Sequence, residues 1–263
     1  MLFRSRAAIL YEQAAEMVPY EDYYLLYAGR ARLEQARLTQ DRTERDRLVQ
    51  LAIAHLEEAR TLSPLNPDHP ANLARVYRAW AEGEADPARK QERLAQASEL
   101  YAQAIELSPH NAQLVNEWGL TLSALGDDQR AEELYSQSLE LDDQYAMTYL
   151  LLSDLRLEQQ DWDSAIALLE RATELDASSL AGWSRLAYAY AMAERWEEAA
   201  AANEKVLQLA PDDFVSLRNL VYIYHTLGDD ETALIYLDRA IAVAPEGQDA
   251  ELRVLRQQLV PAP

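Results

Sequence analysis

Three phrases set the frame of this chain: Ala104-Ile-Glu-Leu-Ser-Pro109, Val206-Leu-Gln-Leu-Ala-Pro211 and Ala240-Ile-Ala-Val-Ala-Pro245. Their prolines are 102 and then 34 residues apart, and 102 is three times 34. Ala59-Arg-Thr-Leu-Ser-Pro64 is a further copy, and Ala172-Thr-Glu-Leu-Asp-Ala177 repeats the phrase with Ala in place of Pro. A fixed period of this size is the mark of a repeat architecture. Working outward, four continuous units follow, at 112–145, 146–179, 180–213 and 214–247.

Within each unit the eighth position is small or apolar (Gly119, Ser153, Ala187, Val221) and the twentieth is always Ala (Ala131, Ala165, Ala199, Ala233). Trp118, Tyr149 and Trp183 supply bulk at the fourth or seventh position, and Gly126-Asp127 and Gly228-Asp229 fall between the two helices expected in their units. Small residues let two helix axes approach closely, while bulky ones fill the gap to the next pair. One such pair cannot bury its apolar face alone, so the pairs must stack. These anchors closely resemble the tetratricopeptide repeat (TPR) over nearly the whole chain. The resemblance implies an all-α fold, a right-handed superhelical TPR solenoid of antiparallel helix pairs.

Upstream the frame stretches. Pro19 to Pro64 and Pro64 to Pro109 are each 45 residues, or 34 plus 11. The repeats 22–66 and 67–111 are therefore long, with the extra residues between Gly29 and Ala52 and between Ala74 and Ala97. These inserts are polar and charge-mixed. They read either as solvated, lengthened hairpin tips or as a docking ridge. Ala7, Tyr11, Ala14 and Pro19 match the second helix of a repeat, so 1–21 reads as a half repeat whose open face belongs to a longer protein or to another molecule. Residues 248–263 read as a capping helix and tail.

The chain has 263 residues, 49 % of them hydrophobic, with only 7 Gly and no Cys. Disulfides, thiolate metal sites and Cys nucleophiles are excluded. The formal charge of −21 opposes nucleic-acid binding. Residues 1–111 carry 14 basic and 17 acidic side chains and 112–263 carry 10 and 28, so the acidity lies in the second part. No apolar run approaches the ~20 residues that span a bilayer, so direct membrane insertion of this chain is not expected.

No catalytic constellation is present. The four histidines lie in separate repeats without metal-ligand spacing, and neither a Gly-rich phosphate loop nor a nucleophile elbow occurs. The expectation is a non-enzyme with no cofactor and no metal. In the resembling family the first helices line a binding groove. Carried over, the groove residues here are Met147, Leu150, Leu151 and Leu157 as an apolar strip. Beside it lies a polar-aromatic strip of Arg185, Tyr188, Arg218, Asn219, Tyr222 and His225, with the arginines expected to grip carboxylates. The Lys pattern of chaperone-tail clamps is absent, since Asn116 and Leu150 stand at the position concerned.

Three roles follow as expectations: a scaffold that holds another protein, a homo-oligomer or extracellular filament, and an envelope-facing glycan-polymerase tail. Self-association would use Tyr11 and the tip arginines Arg42, Arg45, Arg47, Arg89 and Arg93 against the acidic repeats of a neighbour. A weaker resemblance connects Pro19-Tyr-Glu-Asp-Tyr-Tyr-Leu-Leu-Tyr-Ala-Gly-Arg30 and Leu65-Asn-Pro-Asp-His-Pro-Ala-Asn-Leu-Ala-Arg75 with the soluble tails of bacterial O-antigen polymerase/ligase-like membrane proteins. That resemblance implies a bacterial cell-envelope or extracellular setting.

Overall fold

The computed structural model describes residues 2–259, which form fourteen helices and no strand. They are α1 (Leu2–Met17), α2 (Asp22–Leu38), α3 (Arg42–Leu62), α4 (Asp68–Glu82), α5 (Pro87–Leu107), α6 (Ala112–Ala124), α7 (Asp128–Leu141), α8 (Ala146–Glu158), α9 (Trp162–Leu175), α10 (Leu180–Met192), α11 (Trp196–Leu209), α12 (Phe214–Thr226), α13 (Asp230–Val243) and α14 (Asp249–Leu259). The chain divides into two compact units, Met1–Asp143 and Gln144–Pro263. In each, every helix packs chiefly against its neighbours in sequence.

The turn inside each regular pair has a single device. Its central residue takes a left-handed conformation: Gly126 (φ 84°), Gln160 (58°), Glu194 (58°) and Gly228 (79°). Glycine adopts this freely, whereas Gln160 and Glu194 do so at a cost of roughly 1–2 kcal/mol each. The next backbone N–H then turns back to a carbonyl five residues earlier, as in Asp127 to Leu122, Asp161 to Arg156, Arg195 to Tyr190 and Asp229 to Tyr224. Where that next residue is Asp, its carboxylate caps the second helix: Asp127, Asp161 and Asp229 accept from the N–H groups of Arg130, Ser164 and Thr232.

The small eighth and twentieth positions do what their size predicts. Ala131, Ala165, Ala199 and Ala233 are all 0 % exposed, and Gly119 lies against the buried ring of Tyr135. The core of the second unit gathers around Leu169, Leu186, Leu217, Leu220 and Leu237, and that of the first around Leu26, Leu56, Leu73 and Tyr101. Successive pairs are also tied by a bond that spans 20 residues. Tyr190 Oη donates to Glu170 (2.5 Å) and Tyr224 Oη to Glu204 (2.9 Å). Arg32 donates to Glu12 at the same spacing (2.6 and 2.8 Å), which places α1 in the frame as a second helix.

The two long repeats lengthen mainly their second helices: α3 and α5 have 21 residues each, against 14 in α7, α9, α11 and α13. Seven residues are nearly two full turns, so the buried face returns to within about 20° of its phase. Their tips are joined to each other. Glu84, whose side chain is 2 % exposed, bridges Arg42 (2.8 Å) and Arg93 (2.9 Å). The N–H groups of Asp86 and Ala85 also donate to it. The Asp86 N–H, opposed by burial and helped by Arg93 and Arg42, holds the Glu84 carboxyl below its ordinary range. Trp80 Nε1 donates to Asp46 (2.7 Å), and the Arg93 guanidinium lies 3.8 Å from the centre of the Trp80 ring.

Candidate partner-binding face

In the second unit, the first helices of three consecutive pairs each turn one stripe to solvent. On α8 it runs Met147, Leu151, Asp154; on α10, Ala181, Arg185, Tyr188, Met192; on α12, Val215, Arg218, Tyr222, His225. Steps of three and four along a helix place these residues on one side. Met147, Tyr188, Val215 and Tyr222 are between 46 % and 52 % exposed, so the face presents large apolar and aromatic surface. Tyr188 stands edge-on to Trp162, ring centres 6.2 Å apart, which fixes its direction.

The two arginines differ. Arg185 is already held in a two-pronged bond by Asp154, at 2.6 and 3.1 Å, joining α10 to α8. Arg218 pairs with no carboxylate among the described residues; its guanidinium lies 5.8 Å from the Phe214 ring centre and is half-buried. Asn219 donates to Asn203 at 3.4 Å, and His225 bonds to Asp230 at 2.6 Å.

Charge is segregated by helix. In α8, α10 and α12 three arginines stand against two acids, a net +1, and α10 and α12 contain no acid. In α9, α11 and α13 nine acids stand against three bases, a net −6.

The expected apolar strip is only half present. Leu150 is 7 % exposed and Leu157 is packed against the same core, so both belong to the interior and only Met147 and Leu151 remain on the surface. Helix periodicity places Leu150 with the core-facing Leu186 of the next pair, which outweighs its position in the family pattern. The polar-aromatic strip is brought together, with Val215 and Met192 added; nothing but their exposed register distinguishes these in the sequence. The tip arginines are mostly engaged within the chain. Arg42 and Arg93 bind Glu84, Arg47 binds Glu44 (2.7 Å), and Arg45 donates to the Thr39 carbonyl (3.2 Å). Arg89 sits 3.9 Å from Asp86, and Tyr11 packs on Tyr27, ring centres 5.4 Å apart.

Antiparallel helix pairs with small contact residues, inter-pair Tyr–Glu bonds and an exposed first-helix face define a helical-repeat interaction scaffold. Models of the tetratricopeptide repeat match residues 83–146, 150–214 and 216–251. The chain belongs to the tetratricopeptide-repeat family. Solved structures agree on the fold. The chain is similar to a protein of the Cut9–Hcn1 hetero-tetramer of the APC/C (TM-score 0.64, 17 % identity), covering 98 % of this chain but 46 % of that one. It is similar to YrrB, described as a TPR protein with an unusual peptide-binding site (TM-score 0.59, 18 % identity, 77 % of this chain and 97 % of that one). It is also similar to TTC0263, a thermophilic TPR protein of Thermus thermophilus (TM-score 0.58, 25 % identity, 71 % and 90 %). No curated protein sequence matches the chain. None of the matches named here is an O-antigen polymerase or ligase. TPR proteins bind other proteins and the family is generally non-catalytic. No helix among the described residues is long and apolar enough to cross a membrane.

Proposed function

We propose that this chain is a non-catalytic scaffold that holds a segment of another protein on the α8–α10–α12 face. The observation that carries the reading is Arg218, a guanidinium without a carboxylate, set among exposed Tyr188, Val215 and Tyr222 on helices free of acid. In a chain of charge −21, such a cation is where a partner's carboxylate gains most, because a charge-assisted hydrogen bond is worth about 1.5–3 kcal/mol. The tyrosines supply rigid contact area at low entropic cost.

Selection from a displayed random-peptide library tests this directly. The expected binders carry a carboxylate beside apolar residues and lose about 10- to 100-fold in affinity for a chain carrying Arg218→Glu and Tyr222→Ala. Binders indifferent to that double change would sink the reading. Self-assembly is the weaker reading, because its arginines already have partners within the chain. Light scattering during size-exclusion chromatography separates the two: the scaffold reading expects a single species at the 29.8 kDa of one chain, and species that shrink on dilution favour self-assembly.

A further inference from the structure

In the first unit, α1, α2 and α3 enclose a cleft of about 470 Å³. Because α1 packs against α2 and α2 against α3 through short turns, α1 and α3 run parallel with α2 between them. A polar bridge closes the cleft. Arg32 donates to both oxygens of Glu12, and His55 Nε2 meets the Glu12 carboxylate at 2.9 Å. These three side chains are only 14–24 % exposed, and the carboxylate they share has no charge left to offer a ligand.

One turn beyond the bridge, Glu16 on α1 and Glu58 on α3 line the same cleft. Both are exposed, and neither carboxylate has a partner among the described residues. Leu25, Leu51, Ala15 and Pro19 form the apolar part of the lining. α1 ends there without a basic residue in its last turn, so its partly negative carbonyl end is uncompensated. The cleft thus combines an apolar floor, two free carboxylates at the rim and a helix C-terminus. Its volume falls in the range of ligand pockets.

The geometry points to a binding site for a cationic side chain on an alkyl stem, an arginine or lysine presented by a partner protein. The stem packs on Leu25 and Pro19 while the charged head lies between Glu16 and Glu58. The site is built from other helices than the α8–α10–α12 face and has the opposite charge preference.

Nuclear magnetic resonance titration of the full chain tests it, with n-butylguanidinium, its neutral isostere n-butylurea, and the peptide acetyl-Ala-Ala-Arg-Ala-Ala-amide as probes. Saturable shifts of amides in 12–18 and 55–58 are expected with the guanidinium and the peptide, but not with the urea. Replacing Glu16→Gln and Glu58→Gln together weakens binding about fivefold, the size two rim ion pairs carry, while the circular dichroism spectrum is unchanged. Equal shifts from urea and guanidinium, or an unaltered affinity in the double variant, overturn the assignment. Binding of n-butylguanidinium with exclusion of the peptide overturns the partner side chain as the occupant in favour of a free alkyl cation.

Discussion

Replacing Gly119 with Ala places two effects of similar size in opposition, and the structure decides between them. Gly119 lies within α6, where Ala is favoured over Gly by about 0.8–1.0 kcal/mol. The added Cβ, however, would stand 2.5 Å from Cε1, 2.9 Å from Cδ1 and 3.1 Å from Cζ of Tyr135. Carbon atoms prefer about 3.5–4.0 Å, so the ring must retreat by roughly 1 Å. Tyr135 is 1 % exposed and cannot swing to solvent. Overpacking of this kind costs about 1–3 kcal/mol, which at its least cancels the helix-propensity gain and otherwise leaves a net loss of up to about 2 kcal/mol. Urea unfolding followed by a probe confined to the first unit measures it, since repeat arrays need not unfold as one. Tyr135→Leu removes the ring, and in a double-mutant cycle it should recover most of the Gly119→Ala loss. If Gly119→Ala proved about 1 kcal/mol more stable than the parent, helix propensity would outweigh contact, and the close approach of α6 to α7 would not be what holds this pair.

Two titrations test the bonds between successive pairs. Burial alone would raise the Glu12 carboxyl, yet hydrogen bonds from Arg32 and His55 hold it below its ordinary range. The stability it contributes is therefore present above the unfolded value of about 4.3 and is lost as pH falls through the lower folded value. Amides of α1 should lose hydrogen-exchange protection in acid before those of α13, and Glu12→Gln should remove the acid step. At the other end of the scale, burial and then the Glu204 hydrogen bond push the Tyr224 hydroxyl up to about 12. Its contribution is complete below the unfolded value near 10 and fades as pH rises towards 12. Because Tyr236 Oη also donates to Glu204 (3.0 Å) and is likewise raised, Glu204→Gln should shift two tyrosinate absorbance steps downward, and unmoved steps would refute the bonds.

The fold was legible because its determinants recur at one period. Ala131, Ala165, Ala199 and Ala233 occupy the same place in four pairs, and close packing leaves no substitute for a small side chain there. The helix lengthening was legible only in part. The prolines 45 residues apart reveal 11 extra residues, but their concentration in α3 and α5 depends on the phase of the buried face, which spacing does not report. The junction at the tips is not legible for a related reason: Glu84 reads as one more acid in a polar insert, and only the meeting of Arg42 from one repeat with Arg93 from the next makes it a buried junction. On the candidate face, family position puts Leu150 in the groove, whereas it is 7 % exposed and lies in the core with Leu186. Arg185 and Arg218 look alike in sequence. Asp154, one pair earlier, separates them by occupying the first and leaving the second free.

Net charge is a poor guide to what this molecule can bind, and the helix-by-helix distribution explains why. A total of −21 taken alone would argue against an acidic partner anywhere on the surface. The excess, however, sits on the second helices and in the turns, where Asp127, Asp161 and Asp229 serve as caps. An α-helix with its side chains is about 10–12 Å across, while the screening length at physiological salt is about 8 Å. Acids on the far side of α9, α11 and α13 are therefore largely screened from a segment lying on α8, α10 and α12. What such a segment meets is the local balance of +1 and the unpaired Arg218. The same reasoning applies in reverse at the α1–α3 cleft. There the first part of the chain is nearly neutral, yet Glu16 and Glu58 make the local field negative. Two surfaces of opposite preference can thus coexist in one acidic protein, each set by the few charges within a screening length of its ligand.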